Sequence, residues 1–193
     1  MSYTPKILAF AGSTRKESFN KKLVKVAADA AKAIGAEVTY LDLKDIPMPL
    51  YDGDLETEQG IPENAKKFKA LLLAHDGLLI SAPEYNSSIS AVLKNAIDWA
   101  SRPSPGEAPL ACFSGKVVSL MSASPGALGG LRGLVTVRSL LSNISVIVLP
   151  NQVAVPKAHE AFGSDGKLKD PKQQSSIEAL ARDLVGVLTK LKA

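Results

Sequence analysis

Five short, almost wholly apolar runs alternate along the chain with longer stretches whose apolar residues recur at helical spacing. This alternation constrains the fold more than any other feature. Short apolar runs read as strands covered on both faces, and such strands belong to parallel sheets sandwiched between helices. The first run is residues 6–11 (K-I-L-A-F-A). A helix over 20–34 follows, with Leu23, Val26, Ala27, Ala30 and Ile34 on one face and Gly35 as its stop. Strand two is read at 37–43. Residues 46–60, with Pro47, Pro49 and Gly53, read as a loop. Pro62 opens a second helix to about Ala74, strand three is 77–82, and a third helix covers 89–100. The Pro- and Gly-rich 102–115 is a loop, strand four is 116–122, and 124–130 is a Gly-containing turn. Helix four spans 131–141, strand five 145–149 and helix five 171–191.

Five strands separated by helices predict one α/β domain over 1–193, with no internal repeat or linker. Right-handed crossovers favour a doubly wound, flavodoxin-like three-layer sandwich whose five-stranded parallel sheet has the order 2-1-3-4-5. Ligands of such sheets bind beyond the carboxyl ends of the strands at the switch point, here between strands one and three. That rule singles out the loops 12–20, 83–88 and 123–130.

Composition removes other classes. Lys plus Arg number 23 against 19 Asp plus Glu, a net charge of +4 spread along the chain. This suits small anionic ligands and gives no banked basic run for nucleic acid. One cysteine, Cys112, excludes an internal disulfide framework, and no Cys/His cluster is available for zinc, so no metal site is expected. The N-terminal apolar run is broken by Gly12, Ser13, Thr14 and Arg15, unlike a signal peptide. No run approaches the roughly 18 apolar residues of a membrane span. These features point to a soluble protein of the cytoplasm, with no membrane partner.

The loop 12–20 (G-S-T-R-K-E-S-F-N) leaves a strand and enters a helix. Gly12 allows a sharp turn, Ser13, Thr14, Ser18 and Asn20 supply hydrogen-bond donors, and Arg15 supplies a guanidinium fork. With the open N–H groups of a helix start, these make a phosphate cradle. The competing reading is a plain helix start at Ser18 or Asn20. Neither G-x-x-x-x-G-K-[ST] nor G-x-G-x-x-G is present, which leaves a terminal monophosphate, as on FMN, as the natural fit. In the second loop, Tyr85 suits a flat ring and Asn86 both donates and accepts; the alternative is a turn with Ser87 or Ser88 capping the next helix. The third loop, 122–130, is rich in small residues and admits close backbone approach.

G-S-T-R-K-E-S-F-N at 12–20, P-E-Y-N-S-S at 83–88 and L-K-N-A-I-D-W at 93–99 resemble the NAD(P)H-dependent FMN reductase family of quinone, chromate and azo-dye reductases. The likeness runs from about Lys6 to the last helix. By position it implies that Ser13, Arg15, Ser18, Phe19 and Asn20 hold the phosphate and ribityl end of FMN. Pro83, Glu84, Tyr85 and Asn86 would line the isoalloxazine, and Ser124 and Gly126 would touch it from the third loop. It further implies NADPH or NADH as donor and a quinone, chromate, azo compound or free flavin as small-molecule acceptor. A homodimer or homotetramer is implied too, paired through the helix at 93–99. The 102–115 loop around Cys112 departs from the pattern in length. Because the flavin carries the hydride chemistry, no side chain is assigned as general acid or base.

The competing function is a flavodoxin-type electron carrier without its own reductase activity; such carriers are typically acidic, and this chain is basic. A phospho-receiver domain lacks its acidic residues here, where Phe10-Ala11-Gly12 and Ser81-Ala82-Pro83 stand. A serine hydrolase lacks its G-x-S-x-G elbow. The remaining candidates receive structural readings. His75 caps a helix end, His159 is solvated, Cys112 is a small loop residue, and Trp99 packs its helix or an interface. Asp98 pairs with a lysine across an interface or faces solvent. Arg132 and Arg138 are surface or interface charges, or attract a nucleotide phosphate.

Overall fold

The computed structural model describes residues 3–192. Strand β1 (Lys6–Ala11) is followed by α1 (Phe19–Ala33), β2 (Glu37–Leu41), a 3-10 turn (Leu43–Asp45), α2 (Gly53–Gln59) and α3 (Glu63–Ala74). Next come β3 (Gly77–Ser81), the two-residue strands β4 (Glu84–Tyr85) and β5 (Ser88–Ile89), α4 (Ala91–Ser101) and β6 (Val117–Ala123). The chain ends with α5 (Leu131–Asn143), β7 (Ile147–Val155), α6 (Ala158–Ala161) and α7 (Pro171–Leu191).

The five long strands form one parallel sheet of order β2-β1-β3-β6-β7, the doubly wound order expected. Strand alternation divides the core in two. Ile7, Ala9, Ala11, Leu79 and Met121 pack against α1 and α7, through Leu23, Ala27, Ile177 and Leu184. Leu8, Phe10, Ile80 and Leu120 pack on the other face against Phe68, Leu72, Leu93, Ile97, Leu134 and Val137 of α3, α4 and α5. The central strands β3 and β6 are buried at every residue, which is why they read as unbroken apolar runs.

The departures from the sequence reading are local. Residues 46–60 are not all loop: Asp52 caps α2 by accepting from Asp54 N. This helix buries none of its residues, so it carries no apolar periodicity to read. Strand two stops at Leu41 because Asp42 turns to accept from Lys44 N at 3.0 Å, starting the 3-10 turn. Helix α4 begins at Ala91 and not at Ile89, which belongs to β5; its cap is Ser90, not Ser87 or Ser88. Strand five runs on through Pro150 to Val155. β7 is an edge strand with a bulge opposite Val118–Leu120, and a proline there removes no ladder bond the sheet needs. Arg138 fills that bulge, donating to the Leu149 and Pro150 carbonyls at 2.8 and 3.1 Å and to Gln152 Oε1 at 3.2 Å; it is structural and not free for a phosphate.

The segment 46–60 is strapped over α4. Trp99 is fully buried; its Nε1 donates to the Pro49 carbonyl at 2.8 Å and its ring meets Tyr51 edge-on at 5.0 Å, so it packs within the chain and not at an interface. The 102–115 loop is tied down by a buried ion pair between Lys69 and Glu107 at 2.6 Å, with Lys69 also donating to the Arg102 carbonyl. Arg102 reaches Glu56 of α2 at 2.9 Å, and Glu56 also accepts from Tyr51 Oη at 2.9 Å. Cys112 of this loop is itself buried, which pushes its thiol up. His75 is buried at the end of α3, with Nδ1 2.6 Å from the Leu71 carbonyl and Nε2 2.8 Å from Thr39 Oγ1. Asp98 pairs with Lys94 of its own helix at 2.7 Å.

Glu56 is held below the ordinary carboxyl value of 4.5 chiefly by the Arg102 hydrogen bond, and Glu107 chiefly by that from Lys69. Their folded pKa values lie below the unfolded ones. Their contribution is therefore complete above about 4.5 and is lost as pH falls through the folded values. The urea midpoint is expected to drop between about pH 5 and pH 3. The double change Glu56→Gln and Glu107→Gln is expected to flatten that acid limb.

Candidate functional site

The carboxyl ends of β1, β3 and β6 meet at one rim, and the three loops leaving them form a small cleft of about 80 Å³. Its walls are Ser13, Arg15, Ser18, Phe19 and Asn20 from the first loop, Pro83, Glu84 and Tyr85 from the second, and Ala123, Ser124 and Pro125 from the third. Nine of the eleven residues named from sequence stand here together. Asn86 sits at the hairpin tip and Gly126 lies just past the third wall; neither lines the cleft. Ala123 and Pro125 were not named, and their only sequence signal is their place beside Ser124.

The first loop is set by close backbone approach. Gly12 N donates to the Ser81 carbonyl at 2.9 Å, and Ser90 Oγ donates to the Gly12 carbonyl at 2.7 Å. A Cβ on Gly12 would lie 2.8 Å from Leu93 Cβ, so only glycine lets β1 and α4 come this near. Ser18 occupies the N-cap of α1 but makes no side-chain cap bond, and the first turn holds no acidic residue. Ser18 thus starts the helix by position, as the competing reading has it, but its hydroxyl, which lines the cleft, is not spent on a cap bond, and no first-turn carboxylate takes the open N–H groups. Arg15 is exposed beside them and, among the described residues, has no carboxylate within ion-pair distance. This donor set fits a phosphate dianion.

Other candidates do different work. Asn20 is buried and fully engaged. Its Nδ2 donates to the Ala123 carbonyl at 2.8 Å, while its Oδ1 accepts from Ser81 Oγ at 2.8 Å and Ala123 N at 3.0 Å. It ties α1, β3 and β6 together beneath the cleft. The ring of Phe19 stacks on Phe162 at 6.4 Å. Residues 84–89 form a tight hairpin, with Glu84 opposite Ile89 and Tyr85 opposite Ser88. Asn86 and Ser87 carry positive φ of 50° and 65°, as a two-residue hairpin turn requires. Tyr85 is left half exposed at the rim.

Glu84 turns its carboxylate away from the first loop, to Arg132 and the start of α5. Burial alone would raise this carboxyl, but the hydrogen bonds from Arg132 and Gly133 and the guanidinium charge outweigh it and hold the group below 4.5. Arg132 is thus an intramolecular partner of Glu84, not a free surface charge. Across residues 13–15 from the cleft lies a larger groove of about 320 Å³, lined by Thr14, Lys44 and the apolar Leu43, Ile46, Met48 and Val92. Among the described residues no helix is long and apolar enough to cross a membrane.

A cleft of this kind at the rim of a doubly wound sheet serves many nucleotides. The sequence profile described as NADPH-dependent FMN reductase matches residues 5–160. The chain belongs to the NADPH-dependent FMN reductase family. It is 36% identical over 179 residues to an NAD(P)H-dependent FMN reductase of Pseudomonas aeruginosa, covering 92% of each chain. It is 35% identical over 171 residues to a quinone reductase of Pseudomonas putida, covering 88% of each. Among solved structures, a flavoenzyme NAD(P)H:(acceptor) oxidoreductase from Paracoccus denitrificans matches with a TM-score of 0.80 and 27% identity, over 97% of this chain and 98% of that one. Within the FMN reductase fold of this chain, Asn20 is the tie that keeps the three loops in register. Asn20→Ala would leave the Ser81 hydroxyl and both backbone groups of Ala123 unpaired in the interior. A loss of about 2–4 kcal/mol of unfolding free energy is expected, read from denaturant titration.

Proposed function

We infer that the protein is an FMN-dependent NAD(P)H oxidoreductase that passes electrons from a nicotinamide donor to quinones. The observation that carries this reading is the meeting of an unopposed donor set (Ser13, Arg15, Ser18 and the start of α1) with the Tyr85 hairpin and Ser124 in one cleft. Family membership identifies the ligand as FMN and the donor as NADPH or NADH. Bound there, the flavin supplies the two-electron hydride chemistry.

The chain's own residues bind and orient. Arg15 and Ser18 neutralise and seat the phosphate, with the α1 N-terminus adding a favourable field. Ser13 Oγ also accepts from Arg15 N at 3.3 Å, which shapes the turn that presents the guanidinium. Pro83 and Tyr85 offer a stiff aromatic edge to the ring, and Ser124 closes the site from the loop after β6, with Asn86 at the hairpin tip and Gly126 just outside the cleft. No side chain in the cleft is positioned as an acid or base. The protein's contribution is positioning and the exclusion of water.

We further propose a homodimer or homotetramer acting in the cytoplasm. Tyr85, Leu128, Leu131 and Val135 leave apolar surface exposed beside the site, and the 320 Å³ groove flanks the outer face of α4. Both features support association of copies next to the flavin. Light scattering of the purified protein tests the assembly.

The purified protein is expected to be yellow, or to take up added FMN, and to oxidise NAD(P)H with a simple quinone in the absence of any partner protein. Quinone reduction that required a second protein would favour the electron-carrier reading instead. Arg15→Ala removes a charge-assisted contact and is expected to raise the FMN Kd roughly ten- to hundredfold. An unchanged Kd by fluorescence titration would refute the phosphate assignment.

A further inference from the structure

Helix α5 starts without a cap of its own. Its N-cap position is Gly130, in the left-handed region at φ 93° and with no side chain to offer. The N–H groups of the first turn are the orphans of any helix start. Here two of them are met from 48 residues away: Arg132 N and Gly133 N donate to Glu84 Oε2 at 3.0 and 3.2 Å. Those are the second and third helical positions, the ones an N-cap side chain ordinarily serves. The other oxygen, Oε1, accepts from Arg132 Nε at 2.9 Å and from Nη2 at 2.6 Å. The Glu84 side chain is 9% exposed, whereas that of Arg132 is 58% exposed. The packing is close enough that a Cβ on Gly133 would sit 3.1 Å from Glu84 Cβ and from the Ser88 carbonyl, and a Cβ on Gly130 would collide with Ser122 Oγ.

The hairpin has few bonds of its own. It has two residue pairs, Glu84 with Ile89 and Tyr85 with Ser88, and among the described residues it joins no other strand. A ribbon that short does not hold its shape in water unaided. The loop 124–130 ends where α5 begins, so whatever holds the hairpin to α5 also holds the second wall of the cleft to the third. The first wall has its own anchors, Gly12 to Ser81 and Ser90 and Asn20 to Ser81 and Ala123.

We propose that Glu84 is a positioning residue for the flavin ring: its carboxylate is the N-cap that α5 lacks, and it locks the hairpin 84–89 and the loop 124–130 into a single wall. The proposal rests on the FMN reading of the cleft. It assigns the carboxylate to α5 and leaves Tyr85 and the hairpin backbone to meet the ring. Its function comes from the helix cap, with the Arg132 ion pair secondary, because an exposed guanidinium contributes little.

Three variants separate the parts. Glu84→Ala removes cap and ion pair, Glu84→Gln keeps the shape and one carbonyl oxygen, and Arg132→Ala keeps both backbone bonds. In the flavin-free protein, amide exchange at 85–89 and at Arg132 and Gly133 is expected to quicken at least tenfold in Glu84→Ala, less in Glu84→Gln and under threefold in Arg132→Ala. In the FMN-loaded protein, Glu84→Ala and Glu84→Gln are expected to alter the visible circular dichroism and the midpoint potential of the flavin. The FMN Kd should rise about tenfold in Glu84→Ala. Should Glu84→Ala fail to fold, Glu84→Gln carries the test. Unchanged exchange in the folded Glu84 variants would overturn the proposal. So would exchange that opens while flavin dichroism and potential stay at wild-type values, or an Arg132→Ala effect as large as that of Glu84→Ala. A wild-type protein that binds no FMN would overturn the cofactor reading instead, and the exchange arm would still decide whether Glu84 locks the wall.

Discussion

The buried amide of Asn20 is the contact on which the rim of the sheet depends. It is the second residue of α1, yet its three hydrogen bonds go to Ser81 at the end of β3 and to both backbone groups of Ala123 at the end of β6. Parallel strands bring their carboxyl ends to one side, but the sheet ladder stops there, and the first residues beyond each strand have backbone groups with no neighbour to pair with. One amide, with a donor and an acceptor on a planar head, satisfies two of these, at Ala123, together with the Ser81 hydroxyl. It thereby fixes where α1 begins relative to β3 and β6. The direction of the Ser18 hydroxyl and of the first-turn N–H groups follows from that position.

Electrostatics around the cleft is asymmetric. The first loop is left with uncompensated positive character, from Arg15 and an α1 first turn without an acidic residue. The second loop carries a carboxylate, Glu84, which would repel a phosphate or an electron-rich ring if it stood free. It is instead spent on the start of α5, where two N–H groups and a guanidinium compensate it. An anionic ligand therefore meets attraction on one wall and a neutralised surface on the other.

Away from the rim, the face of the sheet covered by α3 and α4 is closed by a strap and a loop that add Ile46, Cys112 and Phe113 to the core. The 46–60 segment and the 102–115 loop are held through Trp99, Asn95 and Tyr51 and through the chain Lys69–Glu107 and Arg102–Glu56. Of the two ion pairs, Lys69–Glu107 is the more buried, and breaking one partner of such a pair costs more than an exposed pair is worth. The 102–115 loop lies at the side of the fold and lends no residue to the walls of the cleft.

The periodicity of the chain by itself determined the five long strands, because burial on both faces leaves unbroken apolar runs; right-handed crossovers favoured the order of the sheet, and with it the three loops that meet at the switch point. The Gly12, Arg15 and Ser18 pattern that we propose as a phosphate loop was equally legible, since it depends on residues close together in the chain. Helix α2 was not, because a short helix that fully buries none of its residues shows no apolar stripe, and the passage of β7 through Pro150 was not, because edge position and a bulge are properties of the assembled sheet. Only the tertiary structure decided that Asn20 faces inward as a tie and that Glu84 serves a helix 48 residues away. Both are hydrogen bonds between groups distant in sequence, whose partners are the unpaired backbone atoms of folded elements and do not exist until those elements form.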